Sequence, residues 1–115
     1  MENELADYIF NYCYQFYNDK ERKAKDHHFG QFKMGHRPDD DPSEGVKKFR
    51  ARFLTNDPEA LELLRDGYQK FIMNTAERIY RDHSAELELN LCPKCHKIAR
   101  TPQAKQCRFC AHDWH

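Results

Sequence analysis

Cys92, Cys95, Cys107 and Cys110 are the residues of this chain best suited to chemistry. They form two Cys-x-x-Cys pairs with eleven residues between Cys95 and Cys107. A thiolate can act as a nucleophile, a redox group or a soft metal ligand. A dithiol switch needs only one pair. Two pairs folded together offer four sulfurs, which is the tetrahedral set that Zn²⁺ favours. The pattern points to one zinc ion per chain, with iron as the minor alternative. Bringing the pairs together requires the chain to double back. Lys97–Arg100 and Gln103–Gln106 read as two short strands, and Thr101-Pro102 as the reversal, because Pro fixes φ at a turn corner.

The run CPKC…CRFC around a short hairpin resembles a zinc ribbon with rubredoxin-type knuckles. The resemblance covers about the last 25 residues. It implies that Cys92, Cys95, Cys107 and Cys110 are the four ligands. Such knuckles often carry Gly directly after the second cysteine, where φ tends to be positive. Here those positions hold His96 and Ala111, and Ala at positive φ costs on the order of 1 kcal/mol. His96, His112 and His115 lie close enough in sequence to substitute as ligands, but four thiols leave them no vacancy. A Cys₄ site is closed to water and substrate, so the metal is expected to be structural.

The neutral total charge hides an asymmetry. Residues 1–90 carry 14 Lys+Arg against 18 Asp+Glu, whereas Lys94, Lys97, Arg100, Lys105 and Arg108 face only Asp113 in residues 91–115. Four thiolates and one Zn²⁺ leave the C-terminal segment at about +2. Those five cations are the candidate nucleic-acid contacts, with Phe109 and Trp114 nearby for stacking. The plainer reading pairs them with acidic helices. A second basic stretch, KKFRARF from Lys47 to Phe53, is a further candidate binding patch, and the plainer reading is the pattern of any amphipathic helix.

Other candidate sites are weaker. His27, His28, His36 and His83, with Asp26 and Asp82, could form a histidine–carboxylate centre. Adjacent helical residues point about 100° apart, so His27 and His28 do not converge. No phosphate loop or nucleophile elbow is present, which weighs against an enzyme. Asp39, Asp40 and Asp41 lack calcium-loop spacing and read as a solvated loop.

Helices must position the cysteines. Leu5, Ile9, Tyr12 and Phe16 predict one amphipathic helix from Glu4 to about Lys25, with Cys13 on its apolar face. Gly30–Gly45 reads as a loop. Ser43 precedes a second helix with Val46, Phe49 and Phe53 on one face. Asp57-Pro58 opens a third, with Leu61, Leu64, Tyr68, Phe71, Ile72, Thr75 and Ile79 in register and Gly67 tolerated inside. Leu87, Leu89 and Leu91 then alternate with polar residues as a strand, a face that Trp114 could cover.

The expected fold is mainly α with a small β zinc ribbon: a helical domain of about three helices over residues 1–86, then the ribbon over 87–115. Residues 1–86 resemble no family. No apolar run is long enough to span a membrane, and the opening MENELADYIF lacks the features of an export signal. A cytoplasmic address is expected. Two functions compete: a zinc module contacting nucleic acid or a nucleoprotein, and a protein-binding adapter or self-associating chain using the aromatic helix face.

Overall fold

The computed structural model describes residues 1–115. It is mainly helical: α1 Asn3–Tyr12, α2 Asp19–Met34, α3 Glu44–Phe53, α4 Pro58–Glu62 and α5 Tyr68–His83, with 3₁₀ turns at Tyr14–Phe16 and Ser84–Glu86. No helix is long and apolar enough to cross a membrane. The chain divides into two compact units, Asn18–Phe71 and the discontinuous pair Met1–Tyr17 with Ile72–His115.

Five helices replace the expected three, and each extra boundary has a local cause. The first expected helix breaks between Tyr12 and Asp19. Asn18 adopts an extended backbone (φ −81, ψ 174), which a continuing helix cannot contain. It then starts α2 with a reciprocal capping box: Asn18 Oδ1 accepts from the Glu21 amide, and Glu21 Oε1 from the Asn18 amide, both at 2.8 Å. α2 runs on to Met34, through Gly30, which the sequence placed in a loop. Gly30 is a packing residue, since a Cβ there would lie 2.8 Å from Leu54 Cδ2. The third expected helix splits at Gly67, whose φ of +96 lies where other residues are strained.

Other starts agree with expectation. Asp57 caps α4 through the amides of Glu59 and Ala60, with Pro58 at the first helical position. Ser43 stands at the N-cap of α3 without a side-chain cap bond. In the unit Asn18–Phe71, Phe29, Phe49 and Phe53 form a ring cluster with centroids 4.5–6.0 Å apart. Arg50 donates to the carbonyls of Arg37, Pro38 and Asp39 and ties down the acidic loop.

In the discontinuous unit, Ala6, Tyr8, Ile9, Phe10 and Cys13 are buried, as are Ala76, Ile79, Ile98 and Ala99. Arg78 donates to the Phe16 carbonyl at 2.7 Å, and His83 stacks on Phe16 at 4.6 Å. These contacts hold the 3₁₀ turn after α1.

The β ribbon is the main correction. Neither the strand over 87–91 nor the strands Lys97–Arg100 and Gln103–Gln106 form. Only two isolated antiparallel bridges appear, Leu91 with Ile98 and Gln106 with Asp113. The backbone groups that a ladder would need are used locally. Amides turn back on sulfurs and near carbonyls, and the Asn90 side chain serves the carbonyls of Thr101, Pro102 and Ala104. Leu89 and Leu91 line a cleft with Leu5, Tyr80 and Ile98, and Trp114 is not among its walls.

Candidate metal centre

The centre is built from two turns with one backbone design. In the first, the Cys92 amide donates to the Lys97 carbonyl at 2.9 Å and the His96 amide to the Cys92 carbonyl at 2.8 Å. In the second, Cys107 donates to His112 at 2.8 Å and Ala111 to Cys107 at 2.9 Å. Every partner is displaced by 15 positions, as Cys107 is from Cys92. The residues after the second cysteines, His96 and Ala111, have φ of 63 and 65. Both therefore take the left-handed conformation expected of knuckles despite lacking Gly.

Inside each turn the first sulfur accepts two amides. Lys94 and Cys95 donate to Cys92 Sγ, both at 3.4 Å. Phe109 and Cys110 donate to Cys107 Sγ at 3.3 and 3.4 Å. The residue directly after the first cysteine donates to neither sulfur, so Pro93 fits there without losing a bond.

The turns face each other. Cys92 Sγ lies 3.7 Å from Cys110 Sγ, and Cys95 Sγ lies 3.5 Å from Cys107 Sγ. All four sulfurs fall within 4.8 Å of one another. A tetrahedron with ~2.3 Å metal–sulfur bonds has edges of about 3.8 Å. The four cysteines are thus positioned to hold one metal ion. Cys92 and Cys107 are buried, Cys95 is half-buried and Cys110 is exposed.

The electrostatics agree. At Cys92 burial raises the thiol pKa, but the amides of Cys95 and Lys94 and the sulfurs of Cys110 and Cys95 together outweigh it, and the net shift is downward. At Cys107 the Cys110 amide leads, burial opposes, the Phe109 amide adds, and the value falls to about 6. At Cys95 the Lys97 amide lowers the value, yet burial and the sulfurs of Cys107, Cys110 and Cys92 carry it to about 11. Four sulfurs this close cannot all ionise without a compensating cation.

No other group of three or more His, Cys, Asp or Glu ligand atoms is gathered in this way. His27 Nδ1 accepts from the Thr55 amide at 3.0 Å, with its pKa lowered first by burial and then by His28. His28 stacks on Tyr68 at 3.6 Å. His83 bonds Glu86 at 3.1 Å. Near the cysteines, His112 stacks on Trp114 and His115 pairs with Asp113. Cys13 is buried as a small apolar side chain.

Four of the five expected cations, Lys97, Arg100, Lys105 and Arg108, flank the second turn or lie near it. Arg100, Lys105 and Arg108, with Gln106 and His115, line a groove of about 430 Å³. Lys97 Nζ and the Arg108 guanidinium lie over the Phe109 ring, 4.8 and 5.2 Å from its centroid. Lys94 is exposed on the first turn. None of the five meets a carboxylate as an ion pair, whereas Lys20, Lys23, Arg37, Arg65, Arg78 and Arg81 each do. Glu4 and Asp7 share a cleft with Arg100 and Arg108 but do not pair with them.

Asn90 is the site residue that sequence reasoning missed. Its Nδ2 lies 2.9 Å from the carbonyls of Thr101 and Ala104 and 3.3 Å from that of Pro102. Its own amide reaches the Tyr8 hydroxyl at 3.3 Å, and its carbonyl accepts from Ala99 at 2.8 Å. It shapes the Thr101–Ala104 turn that brings the pairs together. The available signal was an Asn just ahead of the leading Leu-Cys, in a position where a strand would prefer a β-branched residue.

No family model, curated protein or solved structure matches this chain.

Proposed function

We propose that this chain is a zinc-stapled binding module, active in the cytoplasm, whose knuckle segment contacts nucleic acid. The observation that carries the zinc reading is the gathering of four sulfurs at tetrahedral spacing. Four soft thiolates favour zinc over harder ions and leave no position for water. The metal would therefore hold the two turns together rather than act on a substrate. Free thiols in such a set also suit a reducing compartment.

The nucleic-acid reading is supported by cations that pair with no carboxylate, two of which, Lys97 and Arg108, lie instead over the Phe109 ring. Lys94, Lys97, Arg100, Lys105 and Arg108 keep their charge for an outside anion. Phe109 adds a stacking face. A cation over an exposed ring is worth ~0.5–1 kcal/mol, and a base stacked on an aromatic ~1–3 kcal/mol. A base would therefore displace a cation from the ring, and that cation would be released to a phosphate. The apolar cleft of Leu5, Tyr80, Leu89, Leu91 and Ile98 favours a second reading, a protein-binding adapter.

Elemental mass spectrometry on untagged protein should find one zinc per chain. Reversing Lys97 and Arg100 to Glu should remove salt-sensitive nucleic-acid binding while zinc content stays unchanged. No metal would overturn the first half of the reading, and unchanged affinity the second.

A further inference from the structure

We propose that the second knuckle selects an unpaired strand: Phe109 stacks on one base while Arg100, Lys105 and Arg108 hold the adjoining phosphodiester. This rests on the nucleic-acid reading above and narrows it. In a duplex both faces of each base are covered by neighbours, and only the edges are open to a protein. An aromatic side chain on a tight turn reaches a base face only where the base is unstacked.

Two features place ring and groove side by side. Arg108 belongs to both, since it lines the groove and lies over Phe109. Phe109 is held by the sulfur site itself, because its amide donates to Cys107 Sγ at 3.3 Å. Phe109 is 40% exposed although it adjoins Cys110, whose sulfur faces that of buried Cys92. A base and its adjoining phosphate would thus meet adjacent, preset contacts. The contacts address charge and a π-face, which RNA and DNA share. The first knuckle places Pro93 and Lys94 at the positions equivalent to Arg108 and Phe109, so it offers a cation without a stacking face.

The test uses the zinc-loaded full chain and fluorescein-labelled oligonucleotides of about 10 nucleotides, within the usual range for such sites. Fluorescence anisotropy is measured with single strands, RNA and DNA, and with the matching duplexes. Single strands should bind at least about tenfold tighter than duplex. Phe109→Ala should weaken single-strand binding roughly ten- to hundredfold and leave duplex binding unchanged. Phe109→Trp should retain it, and both variants should keep one zinc per chain. Equal affinity for duplex, or an indifferent Phe109→Ala, overturns the strand selectivity alone, provided that Arg100→Glu and Lys105→Glu still abolish binding. No binding to any oligonucleotide overturns the nucleic-acid reading itself. Polyglutamate binding as tightly as the oligonucleotides overturns both in favour of an acidic protein partner.

Discussion

The two knuckles share a backbone and differ in the side chains they carry and in how the residues after them are buried. Both have the left-handed residue, the two amides on the first sulfur and the bridge, displaced by 15 positions. Around the first, Cys92, Ile98 and Ala99 are buried, at 0%, 4% and 0% exposure. Around the second, Cys107 is buried like Cys92, but Asp113 and Trp114, the counterparts of Ile98 and Ala99, are exposed and half-buried respectively, and Cys110 is exposed. Metal-binding geometry fixes a few amides and one left-handed position. It leaves the intervening side chains free, and here they diverge. The first knuckle's Ile98 joins the core of its unit, and the second presents Arg108 and Phe109 to solvent.

Loss of a sulfur should break this comparison most sharply. Cys92→Ser and Cys110→Ser should each abolish stoichiometric zinc binding, because structural zinc contributes on the order of 10 kcal/mol to folding such segments. Hydrogen exchange should then separate the knuckles: loss of Cys92 should also expose amides near Ile98, and loss of Cys110 should spare them. Equal exposure in both variants would mean that the first knuckle has no independent anchorage. Asn90→Ala comes next. It frees three carbonyls of the Thr101–Ala104 turn and should cost about 1–3 kcal/mol, read as a lower melting temperature with zinc retained. An unchanged melting temperature would show that the sulfurs alone close the turn. The smallest effect probes the shared backbone. His96→Gly and Ala111→Gly should each stabilise the zinc-loaded protein by up to about 1 kcal/mol, by relieving positive φ. Clearly unequal gains in chemical denaturation would disprove the equivalence of the two turns.

What the sequence revealed was mostly local chemistry. Cysteine spacing and the Asp57-Pro58 helix start each depend on a few adjacent residues, whereas the positive φ at His96 and Ala111 was implied only by the resemblance to zinc-ribbon knuckles. The apolar period of Leu5, Ile9, Tyr12 and Phe16 misled, because it runs on through a break set by Asn18 and Glu21. Hydrophobic spacing registers burial and does not register a capping box. Gly30 and Gly67 look alike in sequence, yet one lies inside a helix against Leu54 and the other separates two helices. The leucine alternation at 87–91 had the period of a strand but no partner strand to pair with. Asn90 was hidden because its role depends on carbonyls more than ten positions away.

A ribosome makes α1 long before the rest of its unit exists. Met1–Tyr17 belongs with Ile72–His115, while Asn18–Phe71 is continuous. The 98 residues after Tyr17 (115 − 17) take about 5–20 s to synthesise at ~5–20 residues per second. During that interval Tyr8 awaits Asn90, whose amide its hydroxyl meets in the finished unit, and the continuous unit can already close. The four thiols follow every helix out of the exit tunnel. If the ion is the proposed zinc, its loading follows the making of all five helices, a latch set on a fold already half assembled, and a cell short of zinc would accumulate chains with one finished unit and one unsealed.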